Sequence, residues 1–159
     1  MLKGISAILA GLISGTTTND NSGAGRVGEF ITSTIATPGS TLATATPINI
    51  TSISCTAGDW DISMVADYSY TGTTVTDIRA GPSLTTGTLP TQPGGGGLGT
   101  DSLAVDSSNF VTITDVQTIS SGPVRLSIAA TTTVFMVAQA TFSIGTVTVF
   151  GTIRARRVR

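Results

Sequence analysis

The sequence of 159 residues contains no histidine, one lysine and one cysteine. Histidine is the commonest general base and a frequent transition-metal ligand, so its absence argues against triad hydrolases and histidine-based metal sites. The lysine, Lys3, lies in an N-terminal segment that reads as a tether, which leaves serine nucleophiles without a base. Cys55 has no cysteine partner within the chain, so stability must come from packing or assembly. We therefore expect no enzymatic activity, no cofactor and no bound metal.

Charge is equally scarce. Charged residues make up 11% of the chain and the formal net charge is -1, whereas ordinary soluble domains are roughly 25% charged. Thirty threonines and seventeen serines supply polar surface without charge, as β-rich domains with uncharged outer faces do. Weak charge repulsion between copies suits a permanently assembled protein better than a diffusing monomer.

Long hydrophobic runs are also missing. The apolar run at residues 4–13 is shorter than the roughly twenty residues that span a bilayer, so we expect no membrane span. Its spacing predicts a short amphipathic helix in an anchor segment, residues 1–14. A signal peptide is the alternative, although no clear cleavage site follows. The face expected to attach the chain to a partner consists of Ile5, Ile8, Leu9, Leu12 and Ile13.

Residues 15–27 are small and polar, with three glycines and no apolar periodicity. This composition predicts a flexible linker between the anchor segment and a domain covering residues 28–159. The alternative is an N-terminal arm that folds back on its own domain.

β-prone segments recur from residue 28 onward at the spacing of a sandwich or barrel. A Pro-Gly turn at residues 37–40 should end the first strand, and Gly81-Pro82 should interrupt or bulge a later one. The runs flanking Ser143-Ile144-Gly145 predict a closing β-hairpin at the centre of a sheet. We expect an all-β antiparallel sandwich, jelly-roll-like. The earlier predicted strands span residues 29–36, 42–46, 48–55, 59–70, 75–85, 103–106, 110–116 and 124–130.

The cleanest alternation lies in residues 59–70 and predicts one dry and one wet strand face. The expected core residues there are Trp60, Ile62, Met64, Ala66, Tyr68 and Tyr70. In the last run, the expected buried residues are Val147, Val149, Gly151 and Ile153. Exposed aromatics could instead stack on sugars, but the shared face with aliphatic residues favours a core.

Two features of the sequence could carry chemistry: a set of aspartates on one predicted strand and a glycine-rich loop. Asp59 and Asp61, with Asp67 beyond them, are expected on the wet face, where a separation of about 7 Å would suit a glycosidase pair or Ca²⁺. Solvated charges that discourage edge pairing explain them more simply. The glycine run at residues 94–99 lacks the lysine and helix of a phosphate loop. The long loop 87–100 around it is of the kind that is functional or mobile.

Four of the eight basic residues occupy the last six positions: Arg154, Arg156, Arg157 and Arg159. A basic tail can bind nucleic acid, yet no aromatic platform is interleaved with it, so we expect no nucleic-acid partner. We expect these arginines to form a subunit interface, pairing with acidic strand faces such as Asp59, Asp61 or Asp67 of a neighbouring copy.

Three strings of the sequence resemble a small β-domain family of virion structural proteins from tailed bacteriophages and prophages. They are Val27-Gly28-Glu29-Phe30-Ile31, Ala57-Gly58-Asp59-Trp60-Asp61-Ile62-Ser63, and residues 133–142 with 151–157. The resemblance covers residues 27–159. It implies a non-enzymatic protein of the particle surface, a head fibre, capsid decoration or tail fibre, assembled as a homotrimer. Residues 1–26 fall outside it.

Several functions remain open. The expected partners are further copies of the chain and a capsid or tail protein that holds the N-terminal segment. A tail-fibre receptor-binding tip would in addition bind a host surface glycan through exposed loops such as 87–100. Alternatives of another class are a secreted carbohydrate-binding module and a glycan hydrolase.

Overall fold

The computed structural model describes residues 18, 20–90, 104–106 and 116–159. These residues form nine strands and no helix. The strands are β1 Phe30–Thr41, β2 Ile48–Cys55, β3 Gly58–Thr71, β4 Val75–Ser83, β5 Ala104–Asp106, β6 Val116–Ser120, β7 Val124–Ile128, β8 Thr132–Phe142 and β9 Thr146–Arg157.

The strands pair antiparallel in two sheets that pack as a sandwich. The first sheet has the order β1, β9, β3, β6, with β7 also paired to β3; the second has the order β2, β8, β4, β5. Counting β6 and β7 as one broken strand, this is the order of an eight-stranded jelly roll, in which the chain repeatedly crosses between two sheets. The predicted fold class is confirmed.

The core lies between the sheets and follows the predicted alternation. The six apolar residues expected inside β3, from Trp60 to Tyr70, are at most 3% exposed. On β9 the predicted inward face, Val147 to Ile153, is buried as well. Facing it from β8 are Val134, Met136, Ala138 and Ala140, each fully buried. Trp60, Tyr68 and Tyr70 are therefore core residues, and they form no exposed platform for a sugar.

The predicted closing hairpin is wrong. β8 pairs with β2 and β4, whereas β9 pairs with β1 and β3, so the two strands belong to different sheets. Each is nevertheless central in its own sheet, as expected. A three-residue connection can either reverse a chain within one sheet or carry it across to the facing sheet, and the sequence of residues 143–145 is compatible with both.

Other strand boundaries also differ from prediction. β1 continues through Pro38 and Gly39, where its register to β9 shifts; a proline is tolerated there because β1 is an edge strand and a bulge leaves its residue unpaired. The predicted strand 42–46 is instead a turn between the sheets, and Ala45 has a positive φ there. Gly81 and Pro82 do not interrupt β4, which stays paired to β8.

Residues 21–28, which the sequence places in the linker and at its border, are hydrogen-bonded to the sandwich. The amide side chain of Asn21 accepts from the backbone N–H of Phe30 (2.8 Å) and donates to its carbonyl (2.6 Å). The N–H of Gly28 donates to the carbonyl of Arg157 (2.9 Å). The N-terminal segment therefore enters the domain beside the end of β9. The predicted anchor, residues 1–14, lies outside the described residues.

The sandwich has two different ends. At one end β3 begins, β9 ends and residues 21–28 attach; we call it the basic end. At the other lie the turns 42–47, 72–74 and 143–145, called the distal turns, whose ends meet through hydrogen bonds. Thr44 Oγ1 donates to the carbonyl of Phe142 (2.8 Å), and the N–H of Ser143 donates to the carbonyl of Thr74 (3.2 Å).

Candidate functional site: the basic end

The basic end is built on the last residues of β9. Counting in twos from Val147 along this strand places Ala155 and Arg157 on the inward face, and Arg154 and Arg156 on the outward face. The burial of each residue agrees: Ala155 and Arg157 are buried, whereas Arg154 and Arg156 are exposed. The four predicted arginines therefore do not act as one tail.

Arg157 occupies the innermost position of this end, with its side chain only 4% exposed. Its Nε donates to the Glu29 carboxylate at 2.9 Å, and Nη1 donates to the carbonyl of Ala57 at 2.8 Å. The second amino group donates to the hydroxyl of Thr56. The guanidinium carbon also lies 4.2 Å from the ring centroid of Trp60, a cation–π contact. Arg157 thus joins the end of β9 to the residue before β1 and to the β2–β3 turn.

The Glu29 carboxylate has two donors. Its Oε2 accepts from the backbone N–H of Gly25 (2.8 Å) as well as from Arg157. Although burial raises the pKa of Glu29, the hydrogen bond from Gly25 and the bond and positive charge of Arg157 together lower it. Glu29 is therefore held ionised, and it fixes the N-terminal residues 25–29 to the end of β9.

Gly58 makes room for the arginine. Its φ is +140°, and a Cβ at this position would collide with Nη1 of Arg157. Any other residue would have to displace the guanidinium from Trp60 and the Ala57 carbonyl. This requirement explains the glycine in the string Ala57-Gly58-Asp59-Trp60.

Asp59 was expected on a wet face, but it is buried, so that prediction is wrong. It lies on the outward side of β3, where Arg125 of β7 donates to it at 2.9 Å and Arg159 forms a second ion pair. A hydrogen bond from Ser127, followed by the contacts with Arg125 and Arg159, lowers the pKa of Asp59 to about 2. The flanking arginine side chains exclude water from the carboxylate, although each arginine is itself largely exposed.

The outward face of this end keeps two exposed arginines. Arg154 Nε donates to the hydroxyl of Ser63 at 3.1 Å, and Arg156 lies directly between Phe30 and Asp61 in the cross-strand register. Phe30 and Val158 are 44% and 38% exposed. This face therefore offers positive charge and apolar surface side by side.

The structure sorts the predicted interface residues into two groups. Arg157 and Arg159 form ion pairs within their own chain, whereas Arg154 and Arg156 lie exposed on the outward face. Asp67, a predicted acidic partner, accepts a hydrogen bond from Thr118. The predicted attachment residues Ile5, Ile8, Leu9, Leu12 and Ile13 and the glycine run 94–99 lie outside the described residues.

Sequence reasoning missed Glu29, Thr56 and Arg125. For Glu29 a signal existed: it stands two residues before Ile31, at a position that strand alternation places inward, as it does Arg157. Two inward positions of opposite charge at the start of one strand and the end of another could have been matched. Nothing in the sequence pairs Arg125 with Asp59.

The chemistry of this end is that of saturated ion pairs. At this end the buried carboxylates of Glu29 and Asp59 each contact arginine. In that same part of the chain, no group of three or more histidine, cysteine or acidic residues could hold a metal ion. The Cys55 thiol is buried, and burial raises its pKa to about 11. The arrangement fixes strands and presents charge.

No family model, no curated protein and no solved structure matches the chain. The resemblance to phage virion proteins therefore stays a prediction from the three strings. Among the residues that the structure describes, none belongs to a helix long and apolar enough to cross a membrane.

Proposed function

We propose that the chain is a structural protein of a bacteriophage particle, displayed on the surface as a trimeric fibre, spike or capsid decoration. Jelly rolls occur in viral capsid proteins and in lectins, so the fold is compatible with this function without implying it. The observation that carries the proposal is the polarity of the domain. The N-terminal segment enters at the basic end, and the distal turns lie at the opposite end, as expected of a module attached at its base.

Attachment is assigned to the N-terminal segment, through the apolar stripe from Ile5 to Ile13. The short helix that the sequence predicts for residues 1–14 would be marginal in water and would need a surface to bury that stripe. The partner is a capsid or tail protein of the particle. In a trimer of parallel copies, three N-terminal segments would bind the particle simultaneously. Several weak contacts made together bind far more strongly than a single one.

The experiment is incorporation of a shortened chain into particles. The cut belongs before Thr18, because Asn21, Gly25 and Gly28 are hydrogen-bonded to the domain and a deletion of residues 1–26 would disturb its folding. A tagged chain lacking residues 1–17 should fold and be absent from purified particles. The full chain with the same tag should be present.

A second variant separates the apolar stripe from the length of the segment. Replacing Ile5, Leu9 and Leu12 by serine keeps the length but removes three of the five apolar side chains of the face, and incorporation should fall as in the deletion. The matched control carries Ser6→Ala, Ala7→Ser and Ala10→Ser. It also changes three residues of the segment, but it leaves the apolar face intact. Normal incorporation of the deleted chain would contradict the proposed anchor.

A receptor-binding tip is the second candidate, favoured by one observation at the distal turns. Ile144 is 79% exposed, and none of the residues in 41–47, 71–74 or 142–146 is charged. An uncharged tip with a projecting apolar side chain is suited to contact a host surface glycan. Labelled protein should bind host cells, and Ile144→Ser should weaken binding more than Leu84→Ser, a 44% exposed residue elsewhere. Equal binding by both variants would argue against the tip.

A further inference from the structure

The outward face of the first sheet carries its charges in two neighbouring columns. Arg154 and Arg156 stand two residues apart on β9, so their side chains point the same way. On the adjacent strand β3, Asp61 and Asp67 also point outward, and Asp61 lies directly across from Arg156. Adjacent strands are about 4.8 Å apart. A positive column therefore runs beside a negative one.

On the other side of Asp61, β7 places Arg125 directly across from it; most of the remaining face is polar and uncharged, with apolar side chains at intervals. Its register rows place Thr34 beside Thr152 and Val65, and Phe30 beside Arg156. Arg157 points inward, and Arg125 and Arg159 both form ion pairs with Asp59. The charges of this face that form no ion pair with another described residue are therefore those of Arg154, Arg156, Asp61 and Asp67. Asp67 is also bonded to Thr118, which leaves Asp61 as the nearer acidic partner.

Opposite columns side by side make the face complementary to a second copy of itself. If copies related by rotation about an axis along the strands face one another, the positive column of one meets the negative column of the next. Such a contact uses different residues on its two sides. It forms a closed ring when a whole number of equal rotations between neighbouring copies adds up to a full turn. Phe30 and Val158 would add apolar area at the basic end.

The height of the residues along the strands fits the same geometry. Rotation about an axis parallel to the strands leaves every residue at its own height, so residues of one cross-strand row meet the same row of the neighbour. Phe30, Arg156 and Asp61 form one row. Copies attached through the same N-terminal segment are parallel, which is the arrangement that brings Arg156 to Asp61.

We propose that the outward face of the first sheet is the contact between copies, with Arg156 of one copy pairing with Asp61 of the next, Arg154 supporting it and Phe30 packed beside them. This inference rests on the proposed function for the parallel arrangement of the copies. It differs from an interface made by the four arginines together, because Arg157 and Arg159 serve the fold of their own chain.

The test measures the mass of the purified full chain by sedimentation velocity at low salt. Wild type should be a trimer, and Arg156→Glu should raise the trimer dissociation constant by about tenfold or more, since it brings two like charges together. Asp61→Arg should act in the same way. The double variant with both changes should recover the trimer because the pair is restored with reversed signs.

Arg26→Glu is the matched control, since it changes the same charge at the same end but outside the face, and it should leave the mass unchanged. Circular dichroism confirms that each variant is folded. A monomeric wild type, an Arg156→Glu variant with the wild-type mass, or a trimer lost only when residues 1–17 are deleted would each overturn the inference. None of these results decides particle incorporation, so the proposed function is tested separately.

Discussion

The two ends of the sandwich are held together by different means. The basic end uses charged side chains from distant parts of the sequence: Arg157 with Glu29, and Asp59 between Arg125 and Arg159. The distal turns contain no charged residue, and they are joined by hydrogen bonds involving backbone atoms and the hydroxyl of Thr44. Both arrangements satisfy polar groups at the edge of a core, where strand pairing stops.

Because of this difference, the two ends respond differently to substitution and present different surfaces. An ion pair in a partly dry site is sensitive to the loss of one partner and to acid, whereas a backbone turn is sensitive to the shape of its residues. The basic end also concentrates charge where the N-terminal segment enters, whereas the distal turns carry no charged residue. Substitutions at the two ends should therefore fail in different ways.

The largest effect is expected at Arg157. Arg157→Met keeps much of the side-chain volume but leaves the Glu29 carboxylate buried without its charge partner, which should lower the free energy of unfolding by about 3 kcal/mol. Urea denaturation, followed by the fluorescence of Trp60, measures this. The neighbouring change Arg156→Met should stay within about 0.5 kcal/mol of wild type because the side chain is exposed.

Adding Glu29→Met to Arg157→Met tests the reason for that loss. If the unpaired carboxylate is responsible, the double variant should be more stable than Arg157→Met alone, since both charges are then gone. A double variant as unstable as the sum of its parts would show that packing around Trp60, and not the charge, is decisive.

How much of this could be predicted from the sequence follows from the range of each interaction. Strand alternation is local, and it correctly placed Trp60 and Ile153 in the core. The same alternation, continued from Ile153 to residue 157, would also have predicted that Arg157 points inward. The sheet to which each strand belongs depends on partners far along the chain, so the connection 143–145 gave the wrong pairing. The contact of Asp59 with Arg125 has the same origin.

A smaller loss is expected at the distal turns from Gly145→Ala. The φ of Gly145 is +94°, and a Cβ there would collide with the carbonyl oxygens of Thr71 and Gly72. The strained backbone and the displaced turn should together cost about 2 kcal/mol. Gly72→Ala is the control: its φ is +62° but a Cβ would meet nothing within 4 Å, so it should cost about 1 kcal/mol. Equal losses in urea denaturation would mean that the collision is relieved by movement of the turn.

An acid titration should distinguish the basic end from the distal turns, because of the two only the basic end contains a carboxylate with a lowered pKa. The expected effect on stability is of intermediate size. The pKa of Asp59 is lowered to about 2, below the roughly 3.9 of an unfolded chain. A lowered pKa contributes stability above the unfolded value, and this contribution is lost as the pH falls from about 4 toward about 2. Asp59→Asn should therefore be less stable than wild type at neutral pH, and the difference should shrink over that window. Replacing Thr44 of the distal turns by valine changes no titratable group. The free energy of unfolding of that variant should therefore differ from that of wild type by the same amount throughout this pH window.

The smallest effect is expected at Thr44, whose hydroxyl donates to the carbonyl of Phe142 and accepts from its N–H (2.9 Å). Thr44→Val keeps the shape but removes both bonds, and water can replace them because Thr44 is exposed. The loss should be about 1 kcal/mol. Thr44→Ser keeps the hydroxyl and should retain most of the stability in the same urea titration. If serine and valine lost equal amounts, the hydroxyl would have no part in joining the distal turns, and the backbone bonds alone would hold that end.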